Sequence, residues 1–187
     1  MKHMVQNRNN LELEIILALL KGSYHLRELS RKLKIPHATL LRKLNELVGE
    51  NILDYKTEGK NKIFFVKNSL STKNQIYSAE IYKLSKLIKK HSELEVIFEE
   101  IKKVFPKGMI ILFGSYAKSN EKKESDIDVY MESSNNKLRD KIKEINSKIN
   151  PKFGKFDKNS LLIKEIIKNH IIIRGVEEFY EKTKFFE

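Results

Sequence analysis

The sequence predicts an α+β protein with an N-terminal helical domain closed by a β-hairpin, a helical linker, and a C-terminal α/β domain with a mixed sheet. Three observations support this class. Apolar residues recur at helical spacing up to residue 48 and give way to two short runs of β-forming residues. The next stretch is helical, and after it short apolar runs alternate with helical patterns. The predicted domains are 1–70, 71–104 and 105–187.

Composition excludes several classes of protein. The 187 residues contain no run of eighteen apolar residues, so no membrane span is expected. The N-terminus lacks the apolar core of a secretory signal, and we expect a cytoplasmic protein. The absence of cysteine excludes disulfides, thiol catalysis and cysteine-ligated zinc, and the five histidines show no metal-ligand spacing.

The net charge of +12 indicates nucleic acid or another polyanion as a partner. The density of net positive charge is higher near the N-terminus, where residues 1–70 hold 13 Lys and Arg against 7 Asp and Glu. A lysine-rich solvated surface that reflects an A/T-biased genome is the alternative explanation. Charge alone does not decide between the two.

The N-terminal region has the pattern of three helices followed by two strands. Pro36 forces a tight connection between the second and third helices, because it pushes its predecessor out of the helical region. The predicted helices are 11–21, 25–33 and 37–48, and the predicted strands are 52–56 and 62–67. The third helix is expected to turn inward Leu40, Leu41, Leu44 and Leu47. Three helices, a tight turn and a closing hairpin make a winged helix-turn-helix.

The predicted third helix and the hairpin carry side chains of the kinds that contact DNA. When such a helix enters the major groove, its exposed residues reach base edges and phosphates, and hairpin lysines contact the backbone beside it. The candidate DNA-binding residues are His37, Thr39, Arg42, Lys43, Lys60 and Lys62, with Asn45 on the same exposed face. The region resembles the winged-helix DNA-binding domains of prokaryotic transcription regulators, which implies DNA as a partner. Winged helices also serve in dimerisation or protein docking, and that alternative stays open.

The helical linker over 71–104 carries no residues with recognisable chemistry. It connects the two domains and is a candidate surface for a homodimer.

A strand–turn–strand pattern in the C-terminal region carries the strongest chemical signal. The apolar run 109–113 leads into Gly114 and Ser115, and a second strand begins ten residues later at Asp126 and Asp128. Side chains alternate along a strand, so the two carboxylates are expected on one face. Two carboxylates at such a short distance repel each other unless a cation neutralises them. Mg²⁺ brought by a phosphate substrate is the natural cation.

The rest of the C-terminal region alternates between helical and strand patterns. Predicted helices are 137–148, 161–168 and 176–182, and predicted strands are 150–156, weakened by a proline and a glycine, and 170–173. Such alternation around an apolar centre is typical of a small α/β domain.

Glycine–serine, ten residues and Asp-x-Asp resemble the signature of the minimal nucleotidyltransferases of the polymerase-beta superfamily. The resemblance covers 105–182, and the segment 166–179 is similar to the C-terminal segment of archaeal members. The whole layout resembles archaeal proteins in which a winged helix precedes such a domain. Some relatives of this kind are antitoxins that modify a partner toxin, so the resemblance implies a protein acceptor.

The resemblance implies a role for each residue of the motif. Gly114 permits close backbone approach, Ser115 donates its hydroxyl to a phosphate oxygen, and a helix starting near Tyr116 aims free N–H groups at the triphosphate. Asp126 and Asp128 are the implied catalytic residues and Mg²⁺ ligands. The implied reaction moves a nucleotide, expected to be AMP from ATP, to a hydroxyl group of a protein or small molecule.

Three lysines follow the glycine–serine pair. Lys118 is a candidate nucleotide-binding residue. For Lys122 and Lys123 plain solvation is the preferred interpretation.

One feature departs from the family pattern. Active members usually place a third acidic residue on the following strand, and the segment 150–158 has no carboxylate at the expected strand core. Asp157 lies late in this segment and could equally cap the next helix, and Glu132 is the other weak substitute. The alternative to an active enzyme is therefore a DNA-binding transcription regulator with a weak or inactive nucleotide-binding domain. RNA binding ranks last, because no aromatic stacking motif accompanies the charge.

Overall fold

A computed structural model describes residues 2–135 and 137–186 of the chain. The chain forms two compact units, Met1–Tyr82 and Lys83–Glu187. The boundary between them falls inside the predicted linker, within a helix that spans Leu70–Lys90. Within the described residues, no helix is long and apolar enough to cross a membrane.

The first unit combines helices with a small antiparallel sheet. In chain order its elements are α1 (Lys2–Leu19), β1 (Tyr24–His25), α2 (Leu26–Leu33), α3 (His37–Gly49), β2 (Leu53–Glu58) and β3 (Asn61–Val66), followed by α4 (Leu70–Lys90). Strands β2 and β3 form a hairpin, and β1 pairs with β3, so that the order is β1-β3-β2. Fully buried side chains from α1, α2, α3 and β3 form its core and include Ile15, Ile16, Leu29, Leu40, Leu44, Leu47 and Phe64.

The second unit contains a four-stranded mixed sheet in its described part. Its elements are α5 (Glu93–Val104), β4 (Ile110–Leu112), α6 (Gly114–Lys118), β5 (Ile127–Met131), α7 (Lys137–Ile145), β6 (Ile149–Phe153), α8 (Leu161–Lys168), β7 (Ile171–Arg174) and α9 (Val176–Thr183). The strand order is β6-β5-β4-β7. Strand β6 runs parallel to β5, and the other neighbouring pairs are antiparallel. The prediction of an α+β protein with a mixed sheet is confirmed.

The two faces of this sheet differ in chemistry. One face packs against α5 and α7 in a single apolar cluster that includes Leu94, Phe98, Ile101, Ile110, Leu112, Ile127, Val129, Met131 and Ile142. Because side chains alternate along a strand, the intervening residues Asp128 and Tyr130 of β5 point to the opposite face. The candidate site therefore lies on the face away from α5 and α7.

Strand β6 forms in spite of Pro151, which weakened its prediction from sequence. It is an edge strand of the sheet, where a residue without an N–H group is tolerated because only one side of the strand is paired. The backbone after β6 is held by the Tyr130 hydroxyl, which donates to the Gly154 carbonyl at 2.8 Å.

The exposure of Leu41 and the N-cap of α8 differ from the sequence analysis. Leu41 is 39% exposed rather than turned inward, since the buried stripe of α3 is formed by Leu40, Leu44 and Leu47. Asp157 does not cap α8, because Ser160 holds the N-cap position and its hydroxyl accepts from the Ile163 N–H. Asp157 instead accepts from the Asn159 N–H within the preceding turn.

Candidate functional site

The turn between β4 and α6 brings the backbone of Gly114 against the carboxylate of Asp128. Gly114 has a φ of +69°, and a Cβ placed on it would lie 3.0 Å from the Asp128 Cγ and 3.2 Å from its Cβ. The Phe113 N–H also donates to the Asp128 carbonyl at 2.9 Å. Only glycine combines this φ with so close an approach, so Gly114 and Asp128 are built as one unit.

Asp128 is held on its other side by Asn150 of β6. The parallel register pairs Asp128 with Asn150, and the Asn150 Nδ2 donates to Asp128 Oδ1 at 2.7 Å. Asp126 lies directly before β5 and is exposed. Within the described residues, Asp126 has no hydrogen-bond or ion-pair partner. The motif thus offers one fixed, half-buried carboxylate and one that faces solvent.

Ser115 and Lys118 lie on α6, which begins at Gly114 rather than near Tyr116 as predicted. Ser115 is half-buried, and among the described residues its hydroxyl has no protein partner, so it can donate to a ligand. Lys118 is engaged differently, because its Nζ forms an ion pair with Glu165 of α8 at 2.6 Å. This pair holds the lysine at the far end of α6.

The loop between the two halves of the motif is anchored by a residue that the sequence did not reveal. Glu121 accepts from Lys90 and contacts His91 Nε2 at 2.9 Å, and its side chain is only 6% exposed. The hydrogen bond from Lys90 lowers the pKa of Glu121 to about 2, against the opposing effect of burial. The neighbouring Lys122 and Lys123 are exposed. Glu121 therefore fixes the path of the loop that leads to Asp126.

The two proposed substitutes for a third acidic residue are engaged elsewhere. Glu132 forms an ion pair with Lys182 at 2.7 Å and accepts from the Phe156 N–H at 3.2 Å. Asp157 stays in its turn before α8. In the part of the chain that the structure describes, no cluster of three or more acidic or histidine side chains is arranged to hold a metal ion.

Asp126 and Asp128 are the residues of the motif that could hold a divalent cation. Proteins commonly bind Mg²⁺ through one or two carboxylates together with substrate phosphates, and Asp126 and Asp128 supply such a pair. The lack of a side chain at Gly114 lets the Asp128 carboxylate lie against the turn, because a Cβ there would displace that carboxylate.

The first unit presents a basic surface on α3 and the hairpin. His37, Thr39, Arg42 and Asn45 are exposed on α3. A groove of about 500 Å³ lies beside them, and its lining includes Arg27, His37, Leu41, Lys60 and Lys62. The Lys62 Nζ lies 3.8 Å from the centre of the Tyr55 ring.

Lys43 differs from the other candidate DNA-binding residues. Its Nζ forms ion pairs with Glu12 of α1 at 3.1 Å and Glu46 at 3.3 Å, and its side chain is 21% exposed. Burial disfavours its charge, but the hydrogen bonds to these two glutamates outweigh burial and raise the pKa of Lys43. Lys43 therefore joins α3 to α1, a contact that the helical pattern of α3 alone does not show.

Comparison with known proteins identifies the class of the second unit. Residues 94–180 match the family model of the nucleotidyltransferase domain. The match includes α5, which the sequence had placed in the linker, and it extends through β4–β7 into α9. The chain therefore contains a nucleotidyltransferase domain, as the glycine–serine and Asp-x-Asp motif predicted. No curated protein and no solved structure gave a significant match.

Proposed function

We propose that the second unit binds a nucleoside triphosphate with Mg²⁺ and transfers a nucleotide, expected to be AMP from ATP, to a hydroxyl group of a protein or small molecule. The observation that carries this proposal is the junction of Gly114 and Asp128 inside a nucleotidyltransferase domain. At this junction a glycine turn without a side chain lies against a fixed carboxylate, which supports a site for a phosphate and its cation.

Each residue of the motif has a role in this proposal. Gly114 lets the triphosphate approach the backbone, and the Ser115 hydroxyl donates to a phosphate oxygen. Asp126 and Asp128 would hold Mg²⁺, which neutralises charge on the phosphates when bound. Lys118 can reach the nucleotide only by leaving Glu165, so we place it in the outer part of the site.

The transfer itself requires few protein groups. The acceptor oxygen attacks the α-phosphorus, the bond to the bridging oxygen breaks, and pyrophosphate leaves with the electron pair. The proton of the acceptor hydroxyl passes to solvent water, because both carboxylates of the motif would hold Mg²⁺. Gly114 and Ser115 contribute to catalysis by positioning the triphosphate for the attack.

The first unit supports a second role, which is DNA binding by a winged helix. Three features of the first unit support this proposal: its helices, its three-stranded sheet of order β1-β3-β2 and its exposed α3. Arg42, Lys60 and Lys62 are the basic residues best placed for phosphates. With a weak transferase site, the same protein would act as a DNA-binding regulator that responds to nucleotide.

The nucleotide site is tested with a double variant, Asp126→Asn and Asp128→Asn. The full-length protein is titrated with ATP and Mg²⁺ by calorimetry, and we expect the double variant to bind at least about tenfold more weakly, because both hard ligands lose their charge. Labelled ATP with cell extract then reports transfer, which we expect only from the unaltered protein.

The matched control is Glu124→Gln, which removes an acidic charge from the loop before Asp126 at a side chain that is 81% exposed. It should bind nucleotide as the unaltered protein does. Equal binding by the double variant, or no binding by the unaltered protein, would reject the site.

A further inference from the structure

Asn150 occupies the position on β6 that faces Asp128 across the parallel strand pair. Its Nδ2 donates to Asp128 Oδ1 at 2.7 Å, and the opposite side of the same carboxylate lies against Gly114. Asp128 is thus enclosed between a glycine backbone and a neutral amide. No other side chain of the described residues hydrogen-bonds to it.

The amide at position 150 gives the site less negative charge than a carboxylate would. A carboxylate at Asn150 would place a further negative charge at hydrogen-bond distance from Asp128, an arrangement that persists only with added cations or a proton. An amide donor satisfies one lone pair of Asp128 without adding charge. The site therefore contains two carboxylates, Asp126 and Asp128, and their negative charge balances that of one divalent cation.

The same geometry disfavours a second cation. An ion bridging Asp128 and residue 150 would meet the N–H₂ group of Asn150, whose partial positive charge repels it. Rotating the amide would turn its oxygen inward, but the hydrogen bond to Asp128 would then be lost. A neutral amide oxygen is also a weaker ligand for a hard cation than a carboxylate.

We propose that Asn150 makes this a single-cation nucleotide site in which transfer is slow. The inference rests on the proposed nucleotide site and goes beyond it, since it assigns the number of cations and the residue that limits it. A site with slow transfer leaves most of its bound nucleotide unreacted, which suits a protein that responds to nucleotide rather than one that consumes it rapidly.

Transfer is slow because the site lacks a base that could accept the proton of the acceptor hydroxyl. When the acceptor oxygen bonds to the α-phosphorus and pyrophosphate leaves, the hydroxyl proton needs a base at the acceptor side. An aspartate at 150 would supply a carboxylate beside Asp128 for a second cation or for the proton. The Asn150 amide can do neither.

The test counts cations and measures transfer in the full-length protein. Mn²⁺ replaces Mg²⁺, and electron paramagnetic resonance counts bound ions with and without α,β-methylene-ATP, which cannot release pyrophosphate. We expect one nucleotide-dependent Mn²⁺ per chain in the unaltered protein and two in Asn150→Asp. With ATP, we expect Asn150→Asp to raise the transfer rate about tenfold or more.

The matched control is Asn146→Asp, which adds the same charge in the turn before β6. The Asn146 Oδ1 accepts from the Lys148 N–H at 2.9 Å, a role that aspartate keeps. This variant should bind one nucleotide-dependent Mn²⁺, which shows that added charge alone does not create the second site.

The outcomes separate this inference from the proposal on which it rests. Two nucleotide-dependent ions in the unaltered protein, or one ion in both the unaltered protein and Asn150→Asp, would overturn the role of Asn150 while the nucleotide site stands. No nucleotide-dependent ion in the unaltered protein would overturn the site itself, and the inference with it.

Discussion

At the scale of single residues, Gly114 combines a positive φ with a close contact to the carboxylate of Asp128. Its φ of +69° disfavours any side chain, and a Cβ would press into the carboxylate of Asp128. We expect Gly114→Ala to lower the free energy of unfolding by about 1–3 kcal/mol, because strain and overpacking add. It should also weaken nucleotide binding, since Asp128 must move. Urea denaturation and calorimetry measure the two effects.

Gly154 provides the control for this substitution. It has no positive φ, and a Cβ on it would meet nothing within 4 Å. Gly154→Ala keeps the carbonyl that accepts from Tyr130, so stability and binding should change little. If the two alanine variants behaved alike, the close approach of Gly114 to Asp128 would have no energetic consequence.

The residues of the site divide by how far they could be predicted. Gly114, Ser115, Asp126 and Asp128 follow from a local pattern, because strand alternation and a small-residue turn are visible in the sequence. Asn150 could not be found in this way, since its role depends on the register of β6 against β5, 22 residues apart. Nothing in a proline-interrupted segment fixes that register.

At the scale of elements, the loop between α6 and β5 depends on one buried carboxylate. Glu121 joins it to the end of α4 through Lys90 and to the following His91. We expect Glu121→Gln to lower the free energy of unfolding at pH 7 by about 1–3 kcal/mol, because charge-assisted hydrogen bonds are lost. Urea denaturation of both proteins between pH 7 and pH 3 checks this.

The stability that Glu121 contributes is expected to decrease at low pH. The pKa of Glu121 is lowered from 4.5 to about 2 in the folded protein, so its contribution is complete above about pH 4.5 and is lost as the pH falls toward 2. The stability difference between the unaltered protein and Glu121→Gln should therefore shrink below about pH 4.5. Glu124→Gln, at an exposed position of the same loop, should show no such change. A difference independent of pH would argue against a charged Glu121.

Most elements followed from the sequence, and the exceptions have tertiary causes. Periodicity predicted most helices of both units, although α1 begins at Lys2 rather than at residue 11, and α6 was implied only by the family resemblance. The predicted linker was misleading for α5, whose apolar stripe packs on the sheet and belongs to the second unit. A helical pattern shows that a stripe is buried but not which sheet it covers.

At the scale of the whole molecule, the net charge of +12 does not show which basic residues are paired with acidic ones, and the structure does. Many lysines are balanced locally, as Lys43 is by Glu12 and Glu46 and Lys118 is by Glu165. On α3 and the hairpin the pairing varies, since Lys56 forms an ion pair with Glu58 at 2.8 Å whereas Arg42 has only a 3.5 Å contact to Glu46. Net charge therefore overstates the number of basic residues that are unpaired and able to contact a polyanion.

Arg42 and Lys43 are neighbours of like charge whose substitutions should differ. Fluorescence anisotropy with duplex DNA over a range of KCl concentrations should show log affinity falling linearly with log salt, because bound phosphates release counterions. We expect Arg42→Ala to weaken binding and reduce the slope by about 1, the loss of one phosphate contact. Lys43→Ala should keep the slope and lower the melting temperature, since it breaks the contacts to Glu12 and Glu46. A DNA affinity that does not change with salt concentration would contradict a DNA-binding role for the exposed face of α3. So would equal slopes of log affinity against log salt for both variants.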